Sequence, residues 1–296
     1  QVLLCSYTKI SDLSPLAGLV NLQELDCSNT RVSDLSPLAG LVKLQKLDCS
    51  NTQVLDLNPL AGLVNLQKLY CHNTQVSDLS PLKKLLNLQE LNCRGIRVSD
   101  LSPLKYLVNL RKLGCTDTQV SDLSPLKDLK NLQKLYCSYT QVSDLSPLKD
   151  FINLQILHCS TNQVSDLSPL AGLVNLQGLY CYNTQISDLS PLRGNVNLQE
   201  LECYNTKIKF IEKSIKIKFI FSNDFKYKYK FNFLIYKLSV VIINQKQRNL
   251  FYNFIETWIN NIIPATTSIQ KKFKQHYYST YNQSTIRYMK KNKIIN

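Results

Sequence analysis

The residues best suited to chemistry in this chain are its cysteines, which recur every 22 residues: Cys5, Cys27, Cys49, Cys71, Cys93, Cys115, Cys137, Cys159, Cys181 and Cys203. Thiolates at such positions could ligate a metal ion or form disulfides. Zinc sites use cysteines in close Cys-x-x-Cys pairs, and the sequence contains none. In a stack of strands, neighbouring Cβ atoms would lie roughly 4.8 Å apart, wider than the roughly 3.8 Å of a disulfide.

We therefore interpret the cysteines as small apolar side chains that fill a narrow core. Ten unpaired thiols favour a reducing compartment, either a bacterial cytosol or the cytosol of a host cell. We predict no metal and no cofactor.

Other catalytic chemistry is not visible. The sequence has no Gly-x-Ser-x-Gly, no P-loop, no His-Glu-x-x-His and no glycine-rich dinucleotide motif. Its three histidines are far apart, and although His158 precedes Cys159, alternation along a strand would direct these two side chains to opposite faces. We predict that the protein is not an enzyme.

The elements that position these residues follow from one 22-residue unit, Leu22 to Lys43. Within it, Leu25 and Cys27 alternate as on a strand, and three leucines follow at helical or 3₁₀ spacing. Ser36 before Pro37 predicts a serine N-cap with proline in the first helical position. One such unit, called a rung below, cannot bury its apolar edge alone, so neighbouring rungs must stack.

The pattern resembles the leucine-rich repeat, and its Asp-Leu-Ser-Pro-Leu segment is most similar to the bacterial internalin class. The resemblance covers residues 1–208, nearly ten rungs, and is specific because the period is kept almost without insertions. It implies an α/β repeat solenoid, curved and right-handed, with a parallel β-sheet on the concave face and 3₁₀ or short helices on the convex face. It also implies a bacterial protein, and AT-rich codon usage would suit a host-associated one.

Two features depart from that family pattern. Cysteine replaces the central strand leucine in every rung, and threonine mostly replaces the asparagine that follows it. A threonine hydroxyl can still bond backbone groups of the turn, whereas Ile96 cannot, so we expect the rung of Ile96 to be locally softer. Asn162 keeps the family's residue.

The outward strand positions vary most between rungs, while the convex segment is nearly identical in most of them. Acidic residues come early and aromatic residues come late. Because clustered exposed tyrosines are typical interaction anchors, we predict that this face binds a partner protein. The predicted contact residues are Asp26, Asp48, Tyr70, Tyr136, Tyr139, His158, Tyr180, Tyr182 and Tyr204. The alternative is that the aromatic residues are unselected variation on a tolerant surface.

The C-terminal tail differs sharply in composition. Residues 1–206 carry a net charge of −1, whereas residues 207–296 carry +15. Lys, Ile, Asn, Phe and Tyr make up 59 of those 90 residues, all types encoded by AT-only codons. We predict that residues 209–264 form a hairpin-plus-helix cap or are drifted sequence. Residues 265–296 are predicted to be a disordered basic tail.

Function could therefore lie in either part. We favour a monomeric solenoid that binds a protein partner. The alternatives are a tail, residues 207–296, that associates with nucleic acid or an anionic membrane, and a decayed gene product without function. Because the chain opens at Gln1 inside a repeat, we also expect a fragment, a duplicated gene remnant or a mispredicted start.

Overall fold

The computed structural model describes residues 1–208 and the backbone of residues 219–221, all within one compact unit, Gln1–Ile235. These residues form one parallel sheet whose eleven strands follow chain order. The strands are β1 (Val2–Leu4), β2 (Glu24–Asp26), β3 (Lys46–Asp48), β4 (Lys68–Tyr70), β5 (Glu90–Asn92), β6 (Lys112–Gly114), β7 (Lys134–Tyr136), β8 (Ile156–His158), β9 (Gly178–Tyr180), β10 (Glu200–Glu202) and β11 (Phe219–Phe221).

Each strand from β1 to β9 is followed by a 3₁₀ helix on the return side of the rung. In the described residues these are Ser14–Leu16, Ser36–Leu38, Asn58–Leu60, Ser80–Lys84, Ser102–Leu104, Ser124–Leu126, Ser146–Leu148, Ser168–Leu170 and Ser190–Gly194. The predicted solenoid, with a parallel sheet on one face and 3₁₀ turns on the other, is confirmed.

The register of the sheet is set by the repeat length. Leu25 pairs with Leu47, and the same 22-residue offset is kept from β1 to β10. Only the last pairing differs, because Leu201 pairs with Ile220, 19 residues further along the chain. The other predictions for residues 209–296, including the cap and the disordered tail, lie outside the described residues.

Strand alternation separates a buried core from a solvent-facing surface. Leu25 and Cys27 are buried while Asp26 between them is half-buried on the outer side. The cysteines of β2 to β10 are all buried and free, and Cys5 at the edge strand is partly buried. The column therefore belongs to the hydrophobic core, in agreement with the interpretation as small apolar side chains.

The start of each 3₁₀ helix is stabilised by aspartate, and the predicted serine N-cap is wrong. The cap position is Leu35, whose side chain cannot accept a hydrogen bond, and Ser36 is already helical. Instead, the amide of Ser36 donates to Oδ1 of Asp34 at 2.8 Å. An equivalent bond occurs in all nine helices, because an aspartate two residues upstream folds back on the chain as an Asx turn. Bonds from Ser36 lower the pKa of the Asp34 carboxyl.

The threonines that replace the family's asparagine close the turn after each strand, as predicted. The hydroxyl of Thr30 donates to the carbonyl of Cys27 at 2.6 Å, and Thr118 does the same to Cys115. Asn162 instead links two rungs, because its Nδ2 donates to the carbonyl of Cys137 and its Oδ1 accepts from the amide of Thr140. The expectation that the rung of Ile96 is softer stays a prediction.

A left-handed residue follows each turn. In the described residues these positions have φ between 52° and 66°, and most are occupied by Asn, Asp or Gly, which tolerate that conformation. Tyr7, Tyr139 and Thr161 are different, because a bulky or β-branched residue at a φ of 54° to 59° is strained. They lie in the turns after β1, β7 and β8, so the conformation is a requirement of the repeat.

Candidate binding surface

The concave face is formed by the outward side chains of the strands and by the two residues that follow the cysteine after each strand from β1 to β10. Because side chains alternate along a strand, the first and third residues of every strand share this face. Parallel pairing in register then aligns equivalent side chains of successive rungs into columns, roughly 4.8 Å apart. The site residues predicted from the sequence all occupy these columns.

Three of those residues form a continuous aromatic stack across β7, β8 and β9. The rings of Tyr136 and His158 have centroids 4.7 Å apart and are tilted by 35°. The rings of His158 and Tyr180 are 3.9 Å apart and stacked. Since Ile156 and Gly178 occupy the other outward positions of their strands, the stack meets little steric competition there.

A second aromatic group lies beside the stack, on the residues just after β9 and β10. Tyr182 and Tyr204 are stacked with centroids 4.4 Å apart and 7° between their planes. Tyr182 is also hydrogen-bonded to Tyr139, which lies in the turn after β7, two rungs away. Burial and the bond to Tyr139 raise the pKa of Tyr182, and burial raises the pKa of Tyr204, so these two phenols are neutral at physiological pH.

Carboxylates fix two of the tyrosines. The hydroxyl of Tyr180 donates to Glu200 of the next rung, and burial together with this bond raises the pKa of Tyr180. In the same way Tyr70 donates to Glu90 at 2.8 Å, and Glu90 also binds Lys68 at 2.8 Å. Burial alone would raise the pKa of Glu90, but the bonds from Lys68 and Tyr70 lower it.

The acidic residues of the early rungs are separate from the aromatic group. Asp26 and Asp48 pair across β2 and β3, and each accepts a hydrogen bond from the amide two residues later, Ser28 and Ser50. Tyr70 on β4 is likewise several rungs from Tyr136. The structure thus brings six of the nine predicted site residues into one region and leaves Asp26, Asp48 and Tyr70 in another.

His158 is neutral in the folded protein, because burial between the two tyrosine rings lowers its pKa to about 4. In the unfolded chain the imidazole titrates near 6.5. As the pH falls from about 6.5 towards 4, the unfolded chain takes up a proton that the folded chain does not, and stability decreases.

We therefore expect His158→Phe to make stability less dependent on pH across that range, while Tyr136 and Tyr180 keep an aromatic neighbour. The measurement is the urea midpoint of both proteins at pH 7.5, 5.5 and 4.5. His72, Glu202 and other groups titrate in both proteins, so the difference between them isolates His158. Parallel pH profiles for the two proteins would contradict the assignment.

The sequence did not predict a groove of about 710 Å³ on the concave face. Gly114, the only residue without a side chain in its column, lies in the lining. Around it are Asn92, Arg94, Lys112, Thr116, Asp117, Tyr136, Ser138, Tyr139, His158 and Tyr182. A single glycine among Asn, Asp and Tyr at equivalent positions was the signal that could have revealed the groove.

Metal and thiol chemistry find no support in the described residues. That part of the chain contains no group of three His, Cys, Asp or Glu side chains that could hold a metal ion. Cys159 is fully buried while His158 faces outward, so the two cannot form a catalytic pair. Burial raises the pKa of the Cys159 thiol to about 12. Among the described residues, no helix is long and apolar enough to span a membrane.

With this fold and surface, the chain belongs to the leucine-rich-repeat family. The two-copy leucine-rich-repeat profile matches residues 1–40, 42–84, 86–128, 130–172 and 174–216. Proteins of this family are in general interaction modules without catalytic activity, and some are receptors that bind peptide ligands. No curated protein sequence matches the chain.

Within that family the chain is internalin-like. An internalin, InlF of Listeria monocytogenes, is 29% identical with a TM-score of 0.71, over 76% of this chain and 74% of that one. Internalin C2 of the same species is 30% identical with a TM-score of 0.61, over 71% of this chain and 92% of that one. The fold is also shared with the plant peptide hormone receptor RGFR1 in complex with RGF2, at 17% identity and a TM-score of 0.67. That similarity covers 77% of this chain and 40% of the receptor.

Proposed function

We propose that this chain is a non-catalytic recognition module that binds a partner protein through its concave face. The principal anchors are the aromatic residues of the late rungs, Tyr136, Tyr139, His158, Tyr180, Tyr182 and Tyr204. Asp26, Asp48 and Tyr70 contribute a second contact region at the other end of the face.

The observation that carries this proposal is the ordered aromatic surface on β7 to β10. Stacking and hydrogen bonds to Glu200 and Tyr139 hold these rings in place before any partner arrives. Rings that are already ordered lose little side-chain entropy on binding, which is one reason that tyrosine is enriched in binding hot spots.

Two comparisons support the same proposal. The internalins InlF and C2 share the repeat at about 30% identity, and the plant receptor RGFR1 binds RGF2 with the same fold. A rigid solenoid offers a large surface whose side chains can change from rung to rung without altering the core.

The test is affinity capture with the full chain from lysates of the source organism and of any host. Three proteins are compared: the wild type, a Tyr136→Ser, Tyr180→Ser, Tyr182→Ser variant, and a control with Val64→Ser, Val108→Ser, Val174→Ser. The three valines are about half exposed and lie outside the concave columns, so their replacement should leave both the core and the binding face intact. Circular dichroism confirms that each variant folds.

We expect one or more proteins to be captured by the wild type and the valine control and to be lost, by at least tenfold, with the tyrosine variant. A folded tyrosine variant that retains every partner would refute the proposal. Binding through the tail would instead be unaffected by the tyrosine changes and would be lost at moderate salt.

A further inference from the structure

The groove on the concave face exists because Gly114 lacks a side chain. Its neighbours in the same column are Asn92 on β5 and Tyr136 on β7. A Cβ atom built on Gly114 would lie 2.9 Å from Oδ1 of Asn92, so the side chain of Asn92 already leans over the vacated position. A larger side chain at residue 114 would fill the groove at its floor.

The basic residues of the groove differ from those of earlier rungs in forming no salt bridge, although Lys112 lies opposite Glu90 across β5 and β6 and its charge helps to lower the pKa of that carboxyl. Lys46 pairs with Glu24 at 3.7 Å, and Lys68 pairs with Glu90 at 2.8 Å. Among the described residues, neither Arg94 nor Lys112 forms a salt bridge, although Lys112 lies 5.9 Å from the centre of the Tyr136 ring. Two cations without a salt bridge therefore line the groove around Gly114, which is itself buried beneath Asn92, and Asp117 is the one carboxylate in the lining.

The rest of the lining is suited to a peptide. The hydroxyls of Thr116 and Ser138 can bond polar groups, and the faces of Tyr136 and His158 offer an apolar wall. The lining runs from Asn92 on β5 to Tyr182 just after β9, four strand spacings or roughly 19 Å. An extended peptide of about six residues covers that distance.

The distribution of charge favours a peptide with one or two acidic side chains over a polyanion. Positive charge is concentrated on and just after β5 to β7, at Arg94, Lys112 and Lys134. Glu90 and Asp117 offset part of that charge and leave a net of +1, whereas carboxylates prevail towards both ends, at Asp26 and Asp48 on one side and at Glu200 and Glu202 on the other. A nucleic acid lying along the sheet would meet repulsion at each end.

We infer that the groove binds an extended acidic segment of the partner, with a carboxylate beside Arg94 and Lys112 and an apolar or aromatic side chain against Tyr136 and His158. This inference rests on the proposed function, because it assigns a ligand chemistry to part of the same face. It predicts affinity that falls as ionic strength rises.

The test is selection of binders from a random 12-residue peptide phage library on the immobilised full chain. Enriched peptides are synthesised and titrated against the wild type, Gly114→Tyr, and a double variant Arg94→Glu, Lys112→Glu. Tyrosine is the residue at the equivalent position of β4, β7 and β9, so Gly114→Tyr should fold normally. Gly172→Gln is the matched control, because a Cβ there meets nothing within 4 Å.

We expect the enriched peptides to contain Asp or Glu next to an apolar or aromatic residue. Both groove variants should weaken their binding at least tenfold, and Gly172→Gln should not change it. Enriched peptides that lack an acidic residue, or that bind Gly114→Tyr as tightly as the wild type, would overturn the inference. If such peptides still depend on Tyr180 and Tyr182, the proposed function stands and only the groove assignment fails.

Two other outcomes are also decisive. Failure to select any peptide would overturn this inference, whereas the proposed function is decided separately by the affinity capture with the tyrosine variant. Binding of a ten-nucleotide oligothymidylate as tight as that of the best peptide, and lost with Gly114→Tyr, would assign the groove to single-stranded nucleic acid instead.

Discussion

Leu113→Ala should lower the free energy of unfolding by about 2–5 kcal/mol, the largest effect expected of any single change discussed for this protein. Leu113 is fully buried in β6, at the middle of the sheet, and pairs with Leu91 on one side and Leu135 on the other. Truncation leaves a cavity between two rungs. In a repeat protein each rung is stabilised chiefly by its neighbours, so the cavity also weakens the coupling between the two halves of the solenoid.

The matched control is Leu3→Ala, the equivalent change in the edge strand β1, where the leucine is only partly buried and pairs with Leu25 alone. We expect Leu3→Ala to lower the free energy of unfolding by about 1 kcal/mol or less, because Leu3 has a neighbouring rung on one side only. Urea unfolding followed by circular dichroism measures both values. Equal losses for the two variants would contradict a core that is continuous through the central rungs.

Cys115→Ser should lower the free energy of unfolding by about 2–3 kcal/mol. This loss should exceed that of Cys115→Ala, although alanine has the smaller side chain. Cys115 is fully buried, and burial raises the pKa of its thiol to about 12. Its backbone amide and carbonyl are already bonded to Tyr136 and Thr118, and within the described part of the chain its sulfur donates no hydrogen bond to another residue. A serine hydroxyl at that position would be buried without a partner, whereas alanine loses only contacts of the sulfur.

Cys5→Ser is the internal control for that prediction. Cys5 is only partly buried, and its sulfur donates to the carbonyl of Asp26 at 3.2 Å. A serine there can keep the hydrogen bond, so we expect a change of less than about 0.5 kcal/mol. Thermal or urea unfolding of the four proteins tests the series. If Cys115→Ser were as stable as the wild type, the surroundings of the cysteine column would have to be polar. The interpretation of the cysteines as apolar core residues would then be wrong.

The repeat made most of the fold predictable from the sequence. Leucine and cysteine in alternation define the strand, and proline marks the return turn, so the ten strands of residues 1–208 and the parallel register follow from one unit. The start of the 3₁₀ helices was not predicted correctly. Asp34 and Ser36 are both good capping residues, and only the backbone direction decides that the aspartate accepts the bond.

The binding surface was predictable as a set of columns but not as contacts. Alternation places Tyr136, His158 and Tyr180 on one face, yet whether their rings stack depends on side-chain torsions that no periodicity encodes. The groove at Gly114 was missed for a related reason. An absent side chain becomes a cavity only when its neighbours do not fill the space, and here Asn92 leans in only partly.

The constant 22-residue offset between paired strands also bears on how such a protein can evolve. A recombination event between two rungs in register removes or adds one whole unit and leaves the ladder of pairings on either side unchanged. The nearly identical convex segments supply the sequence identity that such an exchange needs. The length of the concave face, and the distance between its acidic and aromatic ends, can therefore change in steps of one strand spacing without a new core having to be invented.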